Sequence, residues 1–229
     1  ISFLSKNSDI EKIINMQKKI ITIWDLGTRL FHWLLVMLFG LSWLSAELGG
    51  NWMIWHTRLG FLAAGLITFR IIWGFIGSDS SRFAHFVKSP STVIAYLKGG
   101  GQRAYNTHNP AGALSVIALI GLMSLQVTTG LFSNDDIFIE GPLAYLISYD
   151  AQLEMTELHE MIFNLLILFI ALHVTAIVWY QRFKGEKLVQ AMLHGKKESE
   201  EAAPKIRGGL TLFAASLAGA AVSALLFWI

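Results

Sequence analysis

Seven histidines lie along the 229 residues, at positions 32, 56, 85, 108, 159, 173 and 194, and there is no cysteine. Neutral imidazole is the commonest metal ligand, so these are the side chains whose type and spacing suit metal chemistry. The lack of thiols excludes disulfides, iron–sulfur clusters and Cys-x-x-Cys-His attachment of a c-type haem. His85, His108 and His194 fall in polar segments and read as ordinary loop residues. His108 is the most notable of them, because it stands just before Pro110 at a helix start. His32, His56, His159 and His173 lie in or at the ends of apolar runs, where an ionisable group is costly and usually functional.

Those runs are the elements that must position the four. Apolar residues make up 54% of the chain and charged ones 15%, against roughly 25% charged in a soluble domain. Mean hydropathy is +0.52. Five stretches, 30–48, 52–77, 111–133, 153–181 and 209–229, are long enough to cross about 30 Å of hydrocarbon. The fold expected is all-α: an integral membrane bundle of four helices that carry the chemistry, plus a fifth, C-terminal transmembrane helix. Three segments follow: an extension at 1–19, the membrane domain at 20–200, and the last helix with its charged linker at 201–229.

The polar N-terminus lacks the apolar core of a signal peptide. Met16 is a candidate start, and residues 1–15 receive no function. In the first of two long loops, 78–110, "SPSTVIAYLKGG" reads as a short capped helix, and in the second, 134–152, "DIFIEGPLAYLISYD" reads as an aromatic stretch for the outer interface. The basic residues orient the bundle: 17 of the 18 Lys and Arg precede the first span or follow the second and fourth, and only Arg58 is on the other side. By the positive-inside rule the N-terminus is cytoplasmic and the C-terminus periplasmic, in a bacterial inner membrane. The segment between spans three and four is acidic, with Asp135, Asp136, Glu140, Asp150 and Glu154. Basic loops of this kind orient a membrane protein, and no nucleic-acid partner is expected.

His159 and His173 share a helix face, because 14 residues at about 100° each leave them about 40° apart. They are separated by roughly 21 Å along the axis, one near each surface. His32 opens span one on the inner side and His56 opens span two on the outer side. Depth therefore pairs His56 with His159, and His32 with His173. Zinc would need four ligands converging on one point, and a proton relay would recruit buried acids. Two imidazoles facing one another suit the axial positions of a haem iron. Arg29, Arg58 and Arg70 lie at matching depths as partners for haem carboxylates. Gly60, Ala63 and Ala64 allow close approach of a flat group or of another helix.

Five blocks carry a resemblance: "WDLGTRLFHW" at 24–33, "WHTRLGF" at 55–61, "FRIIWGFIGS" at 69–78, "HNPAGALS" at 108–115 and "GEKLVQAMLHGKK" at 185–197. Over about residues 20–200 the chain resembles the bacterial dihaem cytochrome b561 family, which includes b-type cytochrome subunits of nickel–iron hydrogenases. The resemblance implies two b haems, with one axial ligand on each of spans one and two and two on span four. Those positions are His32, His56, His159 and His173, as the depths require. Gly27 departs from the family, which often has proline there. The function expected is transmembrane electron transfer between a quinone pool and a partner redox protein, a c-type cytochrome or a hydrogenase-like subunit. No nucleophile or acid–base dyad is evident, so any catalysis would be oxidation or reduction of quinone. Gln126, Thr128 and Thr129 are candidate quinone contacts, or interhelical hydrogen bonders. A His-lined metal or proton transporter, and a membrane anchor for a larger oxidoreductase, remain as alternatives.

Overall fold

The computed structural model describes residues 19–99, 105, 107–137, 139–200 and 202–229. The extension expected at 1–19 therefore lies, except for Lys19, outside the described residues. In chain order the elements are β1 (Lys19–Thr22), α1 (Leu26–Leu48), α2 (Met53–Ile76), α3 (Phe83–Phe86), α4 (Pro90–Leu97), α5 (Pro110–Phe132), α6 (Tyr149–Phe183), α7 (Leu188–His194), β2 (Lys196–Ser199) and α8 (Leu210–Trp228). Five of them, α1, α2, α5, α6 and α8, are long and apolar enough to cross a membrane. The chain is a multi-pass, all-α membrane protein, with one short ribbon that periodicity did not announce.

Helices begin where a side chain satisfies the free N–H groups of a first turn. Asp25 accepts from Thr28 N at the start of α1. Asn109, with Pro110 behind it, caps α5, and Ser148 caps α6. Ser89 and Pro90 open α4, the short helix expected from "SPSTVIAYL". The link from α1 to α2 is tight because Gly49 and Gly50 both take positive φ, 60° and 52°, which glycine does without steric penalty.

Helix α2 is the hub: α1, α5 and α8 pack on it, and α6 packs on α5. The core between them joins Phe31, Ile67, Trp73, Met123, Ile162 and Leu166, the last fully buried together with Trp73. Against α8 the backbones nearly touch. A Cβ at Gly219 would lie 2.5 Å from Gly65 O, and Ser223 Oγ donates to Phe61 O at 3.0 Å. Small residues at such a crossing allow dispersion and polar contacts to replace the hydrophobic drive that lipid removes. Leu34, Met37 and Leu41 of α1 and Leu165, Leu168 and Leu172 of α6 stay exposed, as surfaces facing hydrocarbon should.

The two ends of the bundle differ in build. At the end rich in Lys and Arg, β1 and β2 pair antiparallel from Lys19↔Ser199 to Thr22↔Lys196, while α3, α4 and α7 fold beneath the long helices. At the acidic end the connection 133–148 doubles back on α5, with Gly141 N donating to Ser133 O and Leu143 N to Leu131 O. Its "PLAYL" stretch leaves Tyr145 and Leu146 exposed, while Ala144 is buried.

Candidate functional site

The acidic end brings together the pair expected from depth. The His56 and His159 rings lie with centroids 6.0 Å apart and planes at 81°. His56 Nδ1 is 2.9 Å from Ser42 O on α1, and His159 Nδ1 is 2.9 Å from Gln126 O on α5. A carbonyl only accepts, so both protons sit on Nδ1 and both Nε2 atoms carry the lone pair a metal needs. Helix geometry opens those carbonyls. The residue one turn on, Ala46 or Gly130, has little or no side chain to cover them. Gly130 is required by close approach as well, since a Cβ there would lie 2.9 Å from His159 Cε1.

Around the pair is a cavity of about 590 Å³, lined among others by Phe39, Gly60, Ala63, Met123 and Phe163. Cofactor pockets run from about 300 to 1,000 Å³. Glu47, Asp135 and Glu160 also line it, and Arg58 does not. Arg58 is exposed and lies over the Trp55 ring at 5.1 Å. Gln126 and Thr129 meet His159: the Gln126 amide N is 2.9 Å from its Nε2, and Thr129 Oγ1 is 3.2 Å from its Nδ1. Thr128 is exposed on another face of α5, and its hydroxyl donates to Ser124 O.

The basic end holds His32 on α1 and His173 on α6. The His32 ring meets Trp33 edge-on at 4.8 Å, and its Nδ1 is enclosed without a partner. Beneath it Asp25, 2% exposed, accepts from Thr28 N, Thr28 Oγ1, Ser81 Oγ and Trp73 Nε1 at 2.6–3.0 Å. Arg70, 3% exposed, donates to Ser81 O at 3.3 Å and packs against the Phe31 and Phe83 rings. Arg29 donates from Nη1 to Leu193 O at 2.7 Å, while its Nε is buried without a partner.

One residue read as an ordinary loop histidine belongs to this end. His108 is packed between Trp24, at 4.8 Å, and Phe86, at 4.7 Å, with Nδ1 enclosed and unpartnered. Burial, and then the nearby charges of Arg70 and His173, push its imidazole down to about 3, so it is neutral at ordinary pH. The signal lay in "HNPAG": a histidine beside an Asn–Pro cap is held at the mouth of its helix. Next to it Asn109 donates to Tyr180 OH at 2.9 Å, and Tyr180 OH is 2.8 Å from Tyr96 OH.

The quoted blocks converge here. Ile23 N donates to Gly195 O at 2.8 Å, Trp33 Nε1 to Met192 O at 3.4 Å, and Lys197 Nζ reaches Glu186 at 2.7 Å. A family model described as prokaryotic cytochrome b561 matches residues 23–195. The chain belongs to the prokaryotic cytochrome b561 family. The match runs between Ile23 and Gly195, the two residues just seen hydrogen-bonded to each other, so the family unit closes on itself and α8 lies outside it. No curated protein and no solved structure matches the chain.

Membership in the cytochrome b561 family makes this a transmembrane electron-transfer protein of the b-haem type. The residues present fit that group. His56 and His159, from different helices, face one another with ring centroids 6.0 Å apart and would hold the group between them through Nε2. The lone pairs, the cavity and the enclosed unpartnered nitrogens at the other end agree with it. Among the described residues no three His, Asp or Glu side chains gather to hold a single ion. Ligation at His159 Nε2 requires the Gln126 amide to turn aside, a rotation about side-chain bonds.

Proposed function

We propose that this family member binds two b haems, one between His56 and His159 at the acidic end and one between His32 and His173 at the basic end. Each bound haem would supply a one-electron couple, and the two together a route across the bilayer. The observation that carries the reading is the facing of two imidazoles at 6.0 Å, from different helices, over a cavity large enough for a cofactor.

The chain's own residues do the rest. Ser42 O and Gln126 O fix the tautomer and plane of the acidic-end imidazoles, and so their basicity as ligands. Arg29 and Arg70 supply cations for haem carboxylates at the basic end. Arg58, directed to the surface beside Trp55, takes that role at the acidic end only if its side chain swings inward. The basic end faces the cytoplasm by the positive-inside rule, in a bacterial inner membrane, which places the C-terminus of α8 in the periplasm. One exchange partner is the quinone pool, with Gln126 and Thr129, both against His159, better placed for contact than Thr128. The other is a redox protein, a c-type cytochrome or hydrogenase-like subunit, that meets the acidic end through basic side chains.

Purified protein reduced with dithionite should show the sharp α-band of low-spin b haem, with two haems per chain. His56→Ala and His159→Ala should each remove one haem and spare the other. His32→Ala and His173→Ala should do the converse. A single haem lost by all four variants would overturn the pairing, and a colourless folded protein the whole reading.

A further inference from the structure

Arg70 is nearly fully buried, yet among the described residues it is in no ion pair. Asp25 at the same end has its carboxylate engaged by Thr28, Ser81 and Trp73. A guanidinium enclosed without an anion is costly, and such a charge is normally paired. Further nitrogens at the same end are buried and unpartnered, Arg29 Nε and His108 Nδ1 among them. Trp24 joins them: its ring packs on His108, and its backbone N donates to Gly195 O, where a Cβ on Gly195 would come 3.1 Å from Arg29 Nε. A buried cation with such nitrogens around it is an environment suited to an anion.

We propose that His108 is an anion-binding residue, donating Nδ1–H to a carboxylate of the haem held by His32 and His173 and sharing that carboxylate with Arg70. The inference rests on the two-haem reading above. The anion is a carboxylate because guanidinium and imidazole N–H together match its two oxygens. Trp24 and Phe86 clamp the imidazole on two sides, which fixes the direction of its N–H at little entropic cost. The residue acts through the haem's side chain and does not touch the iron.

The test compares His108→Phe, which keeps a ring between Trp24 and Phe86 but no donor, with His108→Gln, which restores an N–H. Full-length protein in detergent is read by haem content, by redox potentiometry followed optically, and by the resonance Raman bands of the haem carboxylates. His108→Phe should keep two haems and leave one midpoint unchanged. It should lower the other about tenfold in its reduction equilibrium, 59 mV for one electron, because an unshielded carboxylate opposes the incoming electron. The carboxylate band should move with it, and His108→Gln should recover at least half of both changes. Unchanged midpoints and bands in His108→Phe would overturn the proposal. So would a His108→Gln variant as shifted as His108→Phe, since that would mean packing alone matters. If His108→Phe does not fold, His108→Ala is read in the same way. Wild-type protein with fewer than two haems would overturn the two-haem reading, whereas two haems insensitive to His108 would overturn this proposal only.

Discussion

At the acidic end both imidazoles donate to backbone carbonyls, and the space between them is lined by apolar and small residues with carboxylates among them. At the basic end His32 Nδ1 has no partner, and the surroundings are dense with Arg29, Arg70, His108 and the Asp25 cluster. The first site is oriented by the neighbouring helices themselves, and its rim is anionic. The second is enclosed by loops and carries more buried cations and donors than its one buried carboxylate, Asp25, takes up. Carboxylates near a redox group oppose its reduction and cations favour it, so a haem bound at the basic end should be easier to reduce than one bound at the acidic end. The same contrast says where each end is fragile: the acidic one in its helix spacing, the basic one in its buried polar network.

The largest effect should come from Asp25→Ala. It strips the acceptor from Trp73 Nε1, Ser81 Oγ and Thr28, all enclosed, and removes a buried negative charge at the end that holds Arg70. Removing one partner from a buried charged network costs about 3–5 kcal/mol. Thermal unfolding in detergent should show a loss of that order, and Asp25→Asn, which keeps one acceptor oxygen, a smaller one. The acidic-end haem should remain in whatever fraction stays folded. An unchanged melting temperature would mean that the basic end does not depend on this cluster.

Gly130→Ala strikes the other end. The new Cβ would meet the His159 ring at 2.9 Å, and overpacking of this kind costs about 1–3 kcal/mol. That corresponds to roughly a 5- to 150-fold weaker hold on the acidic-end haem. The basic-end haem should be unaffected, and Gly121→Ala on the same helix, where a Cβ meets nothing within 4 Å, should be silent. Equal loss of both haems would erase the distinction between the ends.

The contrast also explains what the chain made readable. The five spans follow from unbroken apolar runs, and the His56–His159 meeting follows from helix depth alone, since both residues sit on regular helices whose direction alternates. The same arithmetic matches His32 with His173 in depth. It did not reach His108, Ser81 or Phe86, because those are delivered by α3 and by the segments before α3 and before α5, whose path is set by contacts far along the chain. Ser81 meets Thr28 across 53 residues, and Arg29 meets Leu193 across 164. Local patterns say nothing about such closures. Nor did they foretell the β1–β2 ribbon, whose four-residue strands are too short for alternation to stand out. Arg58 was legible as a basic residue beside His56, but its packing over Trp55 depends on which face of α2 turns outward.

The smallest effect expected is a gain. Gln126 donates its amide N–H to His159 Nε2 at 2.9 Å, the lone pair that would bind iron, while its Oε1 is buried without a partner. Its backbone carbonyl, which orients the imidazole, would survive a side-chain change. Gln126→Leu therefore removes a competitor for Nε2 and an unsatisfied acceptor, and leaves the ligand's tautomer in place. One net hydrogen bond is worth about 0.5–1.5 kcal/mol, so haem should be held about 2- to 10-fold more tightly at the acidic end and no differently at the basic end. Haem transfer to apomyoglobin, followed for each α-band component, would measure it. Faster loss from Gln126→Leu would show the opposite, that the amide holds the bound group itself rather than standing in its way.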